Sequence, residues 1–137
     1  MGEQENRATV ERVIQALNER DLDLFDAQFH EDSLVEYPQS GERIVGGENR
    51  RAVYSAFPGL PTVSPRRLTV SGDLAVAEAQ LDYGDGTDYR CVFIFELREG
   101  KIARETAYWA QPFAAADWRA PWVEMTNGDP TAAARGS

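Results

Sequence analysis

The sequence predicts an α+β fold in which three N-terminal helices precede and cover a mostly antiparallel sheet. Helical periodicity fills the first part of the 137-residue chain, whereas strand patterning fills most of residues 67–111. The clearest strand pair is a hairpin over residues 89–111, whose turn contains Gly100, a residue that accepts positive φ. Strands that follow helices, rather than alternating with them, indicate α+β architecture and not a doubly wound parallel sheet.

Apolar spacing locates the first two helices. Four residues recur at i, i+3, i+4 and i+7 and predict an amphipathic helix over about residues 5–19: Val10, Val13, Ile14 and Leu17. Asp21 is suited to cap a second helix, which would bury Leu22, Phe25 and Phe29. The join is so short that the two helices must form a bent pair.

The next two predicted elements are a short strand, which ends at a proline, and a third helix, which begins at a glycine pair. Residues 34–37 are predicted to form a short strand that Pro38 stops, and residues 39–43 a polar loop. Gly46-Gly47 opens a helix over about residues 48–57, which would bury Val53 and Phe57. An extended connection at residues 61–65 then leads to the meander.

Four further strands are predicted, and turn residues separate them: residues 67–70, 74–83, 89–97 and 102–109. Beyond them Trp118 and Trp122 stand at i and i+4, so a short helical segment would place both indoles on one surface. That surface would cover either the mouth of a pocket or a dimer seam. We expect one domain over residues 1–125 and a disordered tail over residues 126–137.

Composition and charge limit the classes of partner. A net charge of −9 argues against a nucleic-acid or anionic-membrane partner, although surface acid by itself does not indicate a cationic substrate. No segment is apolar enough for a signal peptide or a membrane span, which predicts a cytoplasmic protein. The single cysteine, Cys91, lies in an apolar strand, and with one histidine there is no credible metal site.

Two stretches carry a resemblance to a known family. Residues 32–38, Asp-Ser-Leu-Val-Glu-Tyr-Pro, resemble the first strand of the nuclear-transport-factor-2-like (NTF2-like) cone in its SnoaL-like and ketosteroid-isomerase-like branch. Residues 100–109 resemble its last hairpin, and the order of elements agrees over residues 6–111. The resemblance implies a curved sheet wrapped around three helices, a pocket for an apolar small molecule, no cofactor, and a homodimer through the outer sheet face.

The same resemblance tests the chemistry position by position. Ketosteroid isomerases use an aspartate base, a tyrosine and a protonated aspartic acid. Tyr37 stands at the position of the base, Val13 at that of the tyrosine, and Val92 or Phe93 at that of the acid. Epoxide hydrolases and polyketide cyclases of this group place an aspartate in the last strand, where this chain has Ala107. The sequence therefore predicts none of these mechanisms.

The remaining candidates cluster around the last strand. Strand alternation puts Glu105, Ala107 and Trp109 on one face, which the resemblance makes the concave one. There Glu105 would serve as a general acid or base of raised pKa, or else it would lie at the rim paired with a cation such as Arg104. Trp109 would form an apolar wall of the pocket.

Two further candidates have plain structural alternatives. Tyr37 would donate a hydrogen bond to a ligand, or else be a core tyrosine. His30 would act in the site, or else cap a helix end. The predicted ligand-binding set contains six residues: Trp109, Tyr37, His30, Val13, Phe93 and Ala107.

The sequence thus leaves two functions open. One is a small-molecule-binding SnoaL-like protein that works as a cofactor-free isomerase, cyclase or hydrolase, with Glu105 and Tyr37 as its catalytic residues. The alternative is a non-catalytic ligand-binding or dimerisation module that has lost the acids of the family. The state of Glu105, unpaired in a pocket or salt-bridged at a rim, discriminates between them.

Overall fold

A computed structural model describes residues 2–126 of the chain, with the following helices and strands. In chain order these are α1 (Glu3–Glu19), α2 (Leu22–Ala27), β1 (Phe29–Tyr37), β2 (Glu42–Val45), α3 (Gly47–Ala56), β3 (Thr62–Ser71), β4 (Leu74–Asp82), β5 (Tyr89–Arg98), β6 (Lys101–Ala110) and a 3₁₀ helix (Asp117–Trp122).

The strands form one curved, unclosed sheet in the order β2-β1-β6-β5-β4-β3. All neighbours are antiparallel except β1 and β6, which run parallel. The register shifts in three strand pairs, and such bulges bend a sheet and increase its twist. The predicted α+β cone is therefore confirmed.

Helix α1 packs its apolar stripe against the concave face of this sheet. Val10 and Ala16 are fully buried, and Val13 and Leu17 nearly so. Two polar side chains of α1 satisfy turn carbonyls of the meander: Asn6 Nδ2 donates to Gly72 O at 2.9 Å, and Thr9 Oγ1 to Gly100 O at 2.7 Å. These contacts fix the helix along the sheet because each removes an otherwise unpaired buried group.

The structure corrects the predictions around the first strand. Strand β1 begins at Phe29 rather than at residue 34, so Phe29 is buried from a strand and not from α2. Strand β2 occupies part of the predicted loop. It was not recognised because it is a four-residue edge strand in which only Ile44 is buried.

The structure also corrects α3 and β3. Val53, which was predicted to be buried, is 37% exposed, whereas Arg50 on the same helix is 1% exposed. Strand β3 includes the predicted connection from Thr62 onwards. Pro65 is tolerated there because β3 is an edge strand whose register shifts between Pro65 and Arg67.

The segment after β6 exposes several large apolar side chains. Trp118 is 74% exposed and Trp122 79% exposed. Because a 3₁₀ helix has 3 residues per turn, the i and i+4 indoles lie about a third of a turn apart rather than on one line. The predicted tail falls almost wholly on residues 127–137, which lie outside the described part of the chain. Within residues 2–126 no helix is long and apolar enough to cross a membrane.

Candidate functional site

The concave face of the sheet and helix α3 enclose a cavity of about 250 Å³. Its lining is mostly apolar and includes the rings of six aromatic residues: Tyr37, Tyr54, Phe57, Tyr83, Phe93 and Trp109. Two carboxylates also line it, those of Glu42 and Glu105. Enclosed apolar clefts with a few polar groups are the usual form of a small-molecule site.

Strand β6 presents Glu105 to the interior of this cavity. An extra residue at the bulge, where Glu96 pairs with Arg104 but Leu97 with Ile102, lets both Ile102 and Glu105 face inward. The strand partners of Glu105 are Val35 and Phe95, each 1% exposed. The carboxylate therefore sits between apolar neighbours on both sides.

The carboxylate of Glu105 is buried without a direct partner among residues 2–126. Its residue is 2% exposed, and Arg104, the cation considered as its partner, instead contacts Glu36 and Glu96. Burial raises the pKa of Glu105 from 4.5 to about 7, and the charge of Arg50 acts in the opposite direction. A carboxyl group with this pKa exchanges a proton readily at neutral pH.

Two tyrosines line the cavity together with this carboxylate and are influenced by its charge. Burial, with the charge of Glu105 adding to it, raises the pKa of Tyr37 to about 12. Burial and the same charge raise the pKa of Tyr54 well above its ordinary value. Both phenols therefore stay protonated at neutral pH and can donate hydrogen bonds inside the cavity.

Tyr54 was missed by the sequence analysis, although a helical signal was present. Gly47, Arg50, Tyr54 and Phe57 follow one another at intervals of three or four, and these four are the least exposed residues of α3 and its C-cap. Because a charged residue usually lies on the solvent side of a helix, Arg50 made this side of α3 look exposed in the sequence.

Trp109 and Tyr37 form one wall of the cavity. Their rings meet edge to face, with centroids 5.0 Å apart and an interplanar angle of 83°. The Trp109 backbone N–H donates to Gln39 Oε1 at 2.6 Å, which ties the end of β6 to the loop after β1. Phe57 and Tyr83, which also line the cavity, stack with centroids 6.4 Å apart.

Arg50 lies behind the cavity and anchors α3. Its guanidinium contacts Ser33 Oγ, donates to Asp26 Oδ1 at 2.5 Å, and lies 4.3 Å from the centre of the Phe29 ring. The pKa of Asp26 is lowered, because its hydrogen bonds to Arg50 and Arg51 outweigh its desolvation by burial. The positive charge of Arg50 is therefore balanced by Asp26 and does not neutralise Glu105.

The other predicted residues divide into two groups. Phe93 and Ala107 line the cavity with Glu105, Tyr37 and Trp109. Val13 and His30 do not.

The two residues outside the cavity have structural surroundings of their own. Val13 is buried in the core one turn before Leu17, the α1 residue that does reach the cavity. His30 was expected near a helix end, but it lies in β1, and its Nε2 is 2.6 Å from Arg98 O. Neither residue is retained in the candidate site.

Cys91 also lines the cavity, as a thiol rather than a thiolate. Burial raises its pKa to about 12, and the charge of Glu105 adds to this effect. A thiol with that pKa is a poor nucleophile. Among the described residues, no group of three or more His, Cys, Asp or Glu side chains is arranged to hold a metal ion.

An open six-stranded cone with helices across its concave face and a cavity between them defines the NTF2-like class of proteins. Within that class, a model of the SnoaL-like domain matches residues 10–105, and the chain belongs to this family. Among curated proteins, no sequence matches the chain.

Solved structures show the same relationship. An NTF2-like protein of unknown function from Burkholderia xenovorans LB400 is 36% identical, with a TM-score of 0.81 over 91% of this chain and 98% of that one. A "putative ketosteroid isomerase" from Kribbella flavida DSM 17836 is 27% identical, with a TM-score of 0.84 over 91% and 92%. An LEH-like epoxide hydrolase of M. tuberculosis shares the fold at 24% identity, with a TM-score of 0.69 over 78% and 84%.

Proposed function

We propose that the protein binds a small molecule with an apolar body in the cone cavity and catalyses its cofactor-free isomerisation, cyclisation or hydrolysis. Glu105 is the general acid or base, Tyr37 the hydrogen-bond donor and Trp109 the apolar wall. The observation that carries this proposal is the buried carboxylate without a direct partner among residues 2–126, which lines a mostly apolar cavity together with two protonated phenols. A purely structural acid at such depth would be paired.

The arrangement is suited to moving one proton. With a pKa of about 7, Glu105 takes a proton from a ligand C–H, or from a water that attacks the ligand, and can return it elsewhere. Tyr37 donates to the ligand oxygen on which negative charge develops, and Tyr54 is positioned to assist it. The apolar lining limits competing water and strengthens both interactions.

The name of one related structure, a "putative ketosteroid isomerase" that is 27% identical to this chain, supports this class of reaction. The family resemblance puts Tyr37, Val92 or Phe93, and Ala107 at positions where ketosteroid isomerases, epoxide hydrolases and polyketide cyclases carry acids, so the proton carrier is proposed to have moved to Glu105. The same replacements favour a second candidate, a non-catalytic ligand-binding or dimerisation module. We further propose that the protein forms a homodimer through the outer sheet face.

A ligand screen tests the proposed function. Steroids, terpenoid epoxides and aromatic polyketides are titrated against the wild type and the Glu105→Gln, Trp109→Ala and Tyr37→Phe variants, with tryptophan fluorescence and thermal shift as readouts. The active ligand is expected to lose binding with Trp109→Ala and to bind Glu105→Gln without turnover. Removing the Tyr37 hydroxyl is expected to slow turnover about a hundredfold.

Two results count against the enzyme. Saturable binding with no turnover in the wild type supports the non-catalytic module. Binding and turnover that none of the three variants changes would place the site elsewhere on the protein.

A further inference from the structure

The charged groups that line the cavity are all acidic. Of the residues around it, only Glu42 and Glu105 carry a formal charge, and no Lys, Arg or His of residues 2–126 contributes to the lining. The cationic group that influences Glu105 is Arg50, which lies behind the wall and is paired with Asp26. An anionic ligand would therefore meet two carboxylates and no accessible cation.

Aromatic rings surround the same space. Tyr37 and Trp109 line it as an edge-to-face pair, and Phe57 and Tyr83 line it as a stacked pair. The face of an aromatic ring is negative, so several rings around one carboxylate form a site for a cation with apolar substituents. Such a cation would also restore the charge balance that burial denies to Glu105.

We propose that the ligand carries a positively charged nitrogen, as an amine or quaternary ammonium group on an apolar body, held by the Glu105 carboxylate and the aromatic walls. This inference rests on the proposed function, because it specifies the chemical class of the molecule that enters the cavity. The net charge of −9 also attracts cations towards the protein at long range. Glu42, which is exposed at the rim, adds to that attraction without being desolvated.

The pH dependence follows from the groups that face Glu105. These are Tyr37 from β1, Tyr54 and Arg50 from α3, and Cys91 from β5. Burial keeps the phenols and the thiol neutral near pH 7. Glu105 is thus the group of this set that changes charge near pH 7, and a bound cation favours its ionised form.

A pair of probes that differ only in charge tests the inference. Phenyltrimethylammonium and tert-butylbenzene have nearly the same shape, and benzenesulfonate serves as the anion. Affinities are measured by calorimetry and fluorescence between pH 5.5 and 8.5. The cation is expected to bind the wild type about tenfold more tightly than the neutral probe at pH 8, to weaken below pH 7, and to release protons on binding at pH 6.5.

Two variants locate the effect. Glu105→Gln is expected to remove the preference for the cation and to leave the affinity for tert-butylbenzene unchanged. Glu11→Gln, the matched change on the exposed side of α1 outside the cavity lining, is expected to change neither affinity. Circular dichroism and thermal unfolding confirm that each variant is folded.

The outcomes separate this inference from the proposed function. If the neutral probe binds and the cation binds no better, the inference is wrong and the cavity remains a ligand site. The inference is also wrong if Glu105→Gln weakens both probes equally. If neither probe nor any molecule of the ligand screen binds, both proposals fall.

Discussion

Glu105 is the residue on which the proposed chemistry depends. Strand alternation predicted that it shares a face with Ala107 and Trp109, and the structure has all three in the lining of the cavity. The depth of its burial could not be predicted, because it depends on Val35 and Phe95 in two neighbouring strands. Glu105 has no direct cationic partner among residues 2–126, because Arg50 pairs with Asp26 and Arg104 pairs with glutamates at the surface.

The raised pKa of Glu105 makes a prediction for stability. Because its pKa rises from 4.5 to about 7 on folding, the folded protein binds more protons than the unfolded chain between these values. The free energy of unfolding therefore falls as the pH rises through this window, and ionised Glu105 costs about 3 kcal/mol at pH 8. A neutral residue in place of Glu105 is expected to abolish this decrease in the free energy of unfolding.

Urea unfolding at pH 4.5 and pH 8 measures this effect. Glu105→Gln is expected to be more stable than the wild type by up to about 3 kcal/mol at pH 8 and nearly equal to it at pH 4.5. Glu11→Gln, on the exposed side of α1, is the matched control and is expected to change neither value. Equal stability of Glu105→Gln and the wild type at both pH values would show that Glu105 is solvated or paired.

Among the secondary-structure elements, α3 is the one whose contribution to the cavity was predicted least well from the sequence. Its position and length were predicted within one residue, and its buried residues were predicted to be Val53 and Phe57. Phe57 is half-buried, but Val53 is exposed, and the buried Arg50 and half-buried Tyr54 were not predicted. Helical periodicity identifies apolar faces. It does not show that a buried arginine will pair with polar side chains on another helix and on a strand. Those partners, Asp26 and Ser33, are distant in sequence.

The buried ion pair of Arg50 predicts a large effect on stability. Arg50→Met leaves Asp26 with only the half-exposed Arg51, so the free energy of unfolding is expected to fall by about 3 kcal/mol. The same change removes a positive charge that lowers the pKa of Glu105, so that pKa is expected to rise further.

An exposed ion pair provides the control for this element. Arg104→Gln breaks contacts to Glu36 and Glu96 at the surface and is expected to change stability by less than about 1 kcal/mol. Urea unfolding measures both variants. If Arg50→Met is no less stable than Arg104→Gln, α3 is held by its apolar contacts and not by this pair.

At the scale of the whole molecule, the fold could be predicted because element order and strand alternation are local properties of the sequence. The four meander strands were located to within a few residues, although β3 begins five residues earlier than predicted. The edge strand β2 and the parallel pairing of β1 with β6 could not be predicted locally, because both depend on chain segments that meet only in the folded protein.

The proposed homodimer places the outer face of the sheet at the interface between two copies of the chain. Tyr108 is 42% exposed on the outer face of β6 and lines an open groove with Arg66 and Arg90. Tyr108→Arg places a third cation there, so it is expected to convert the dimer to a monomer in sedimentation velocity. Ser55→Arg, on the exposed side of α3, is expected to leave it dimeric. A wild-type protein that sediments as a monomer would contradict the proposal.

A titration of Glu105 shows whether this residue is a buried proton carrier, and the measurement requires no knowledge of the natural ligand. The protein is labelled with ¹³C at the glutamate side-chain carboxyl groups, and the signal that Glu105→Gln removes is followed from pH 4 to pH 9. The expected midpoint is near 7, well above the ordinary glutamate value of 4.5. A midpoint near 4.5 would show a solvated or paired carboxylate and would contradict a cavity built around a buried proton carrier.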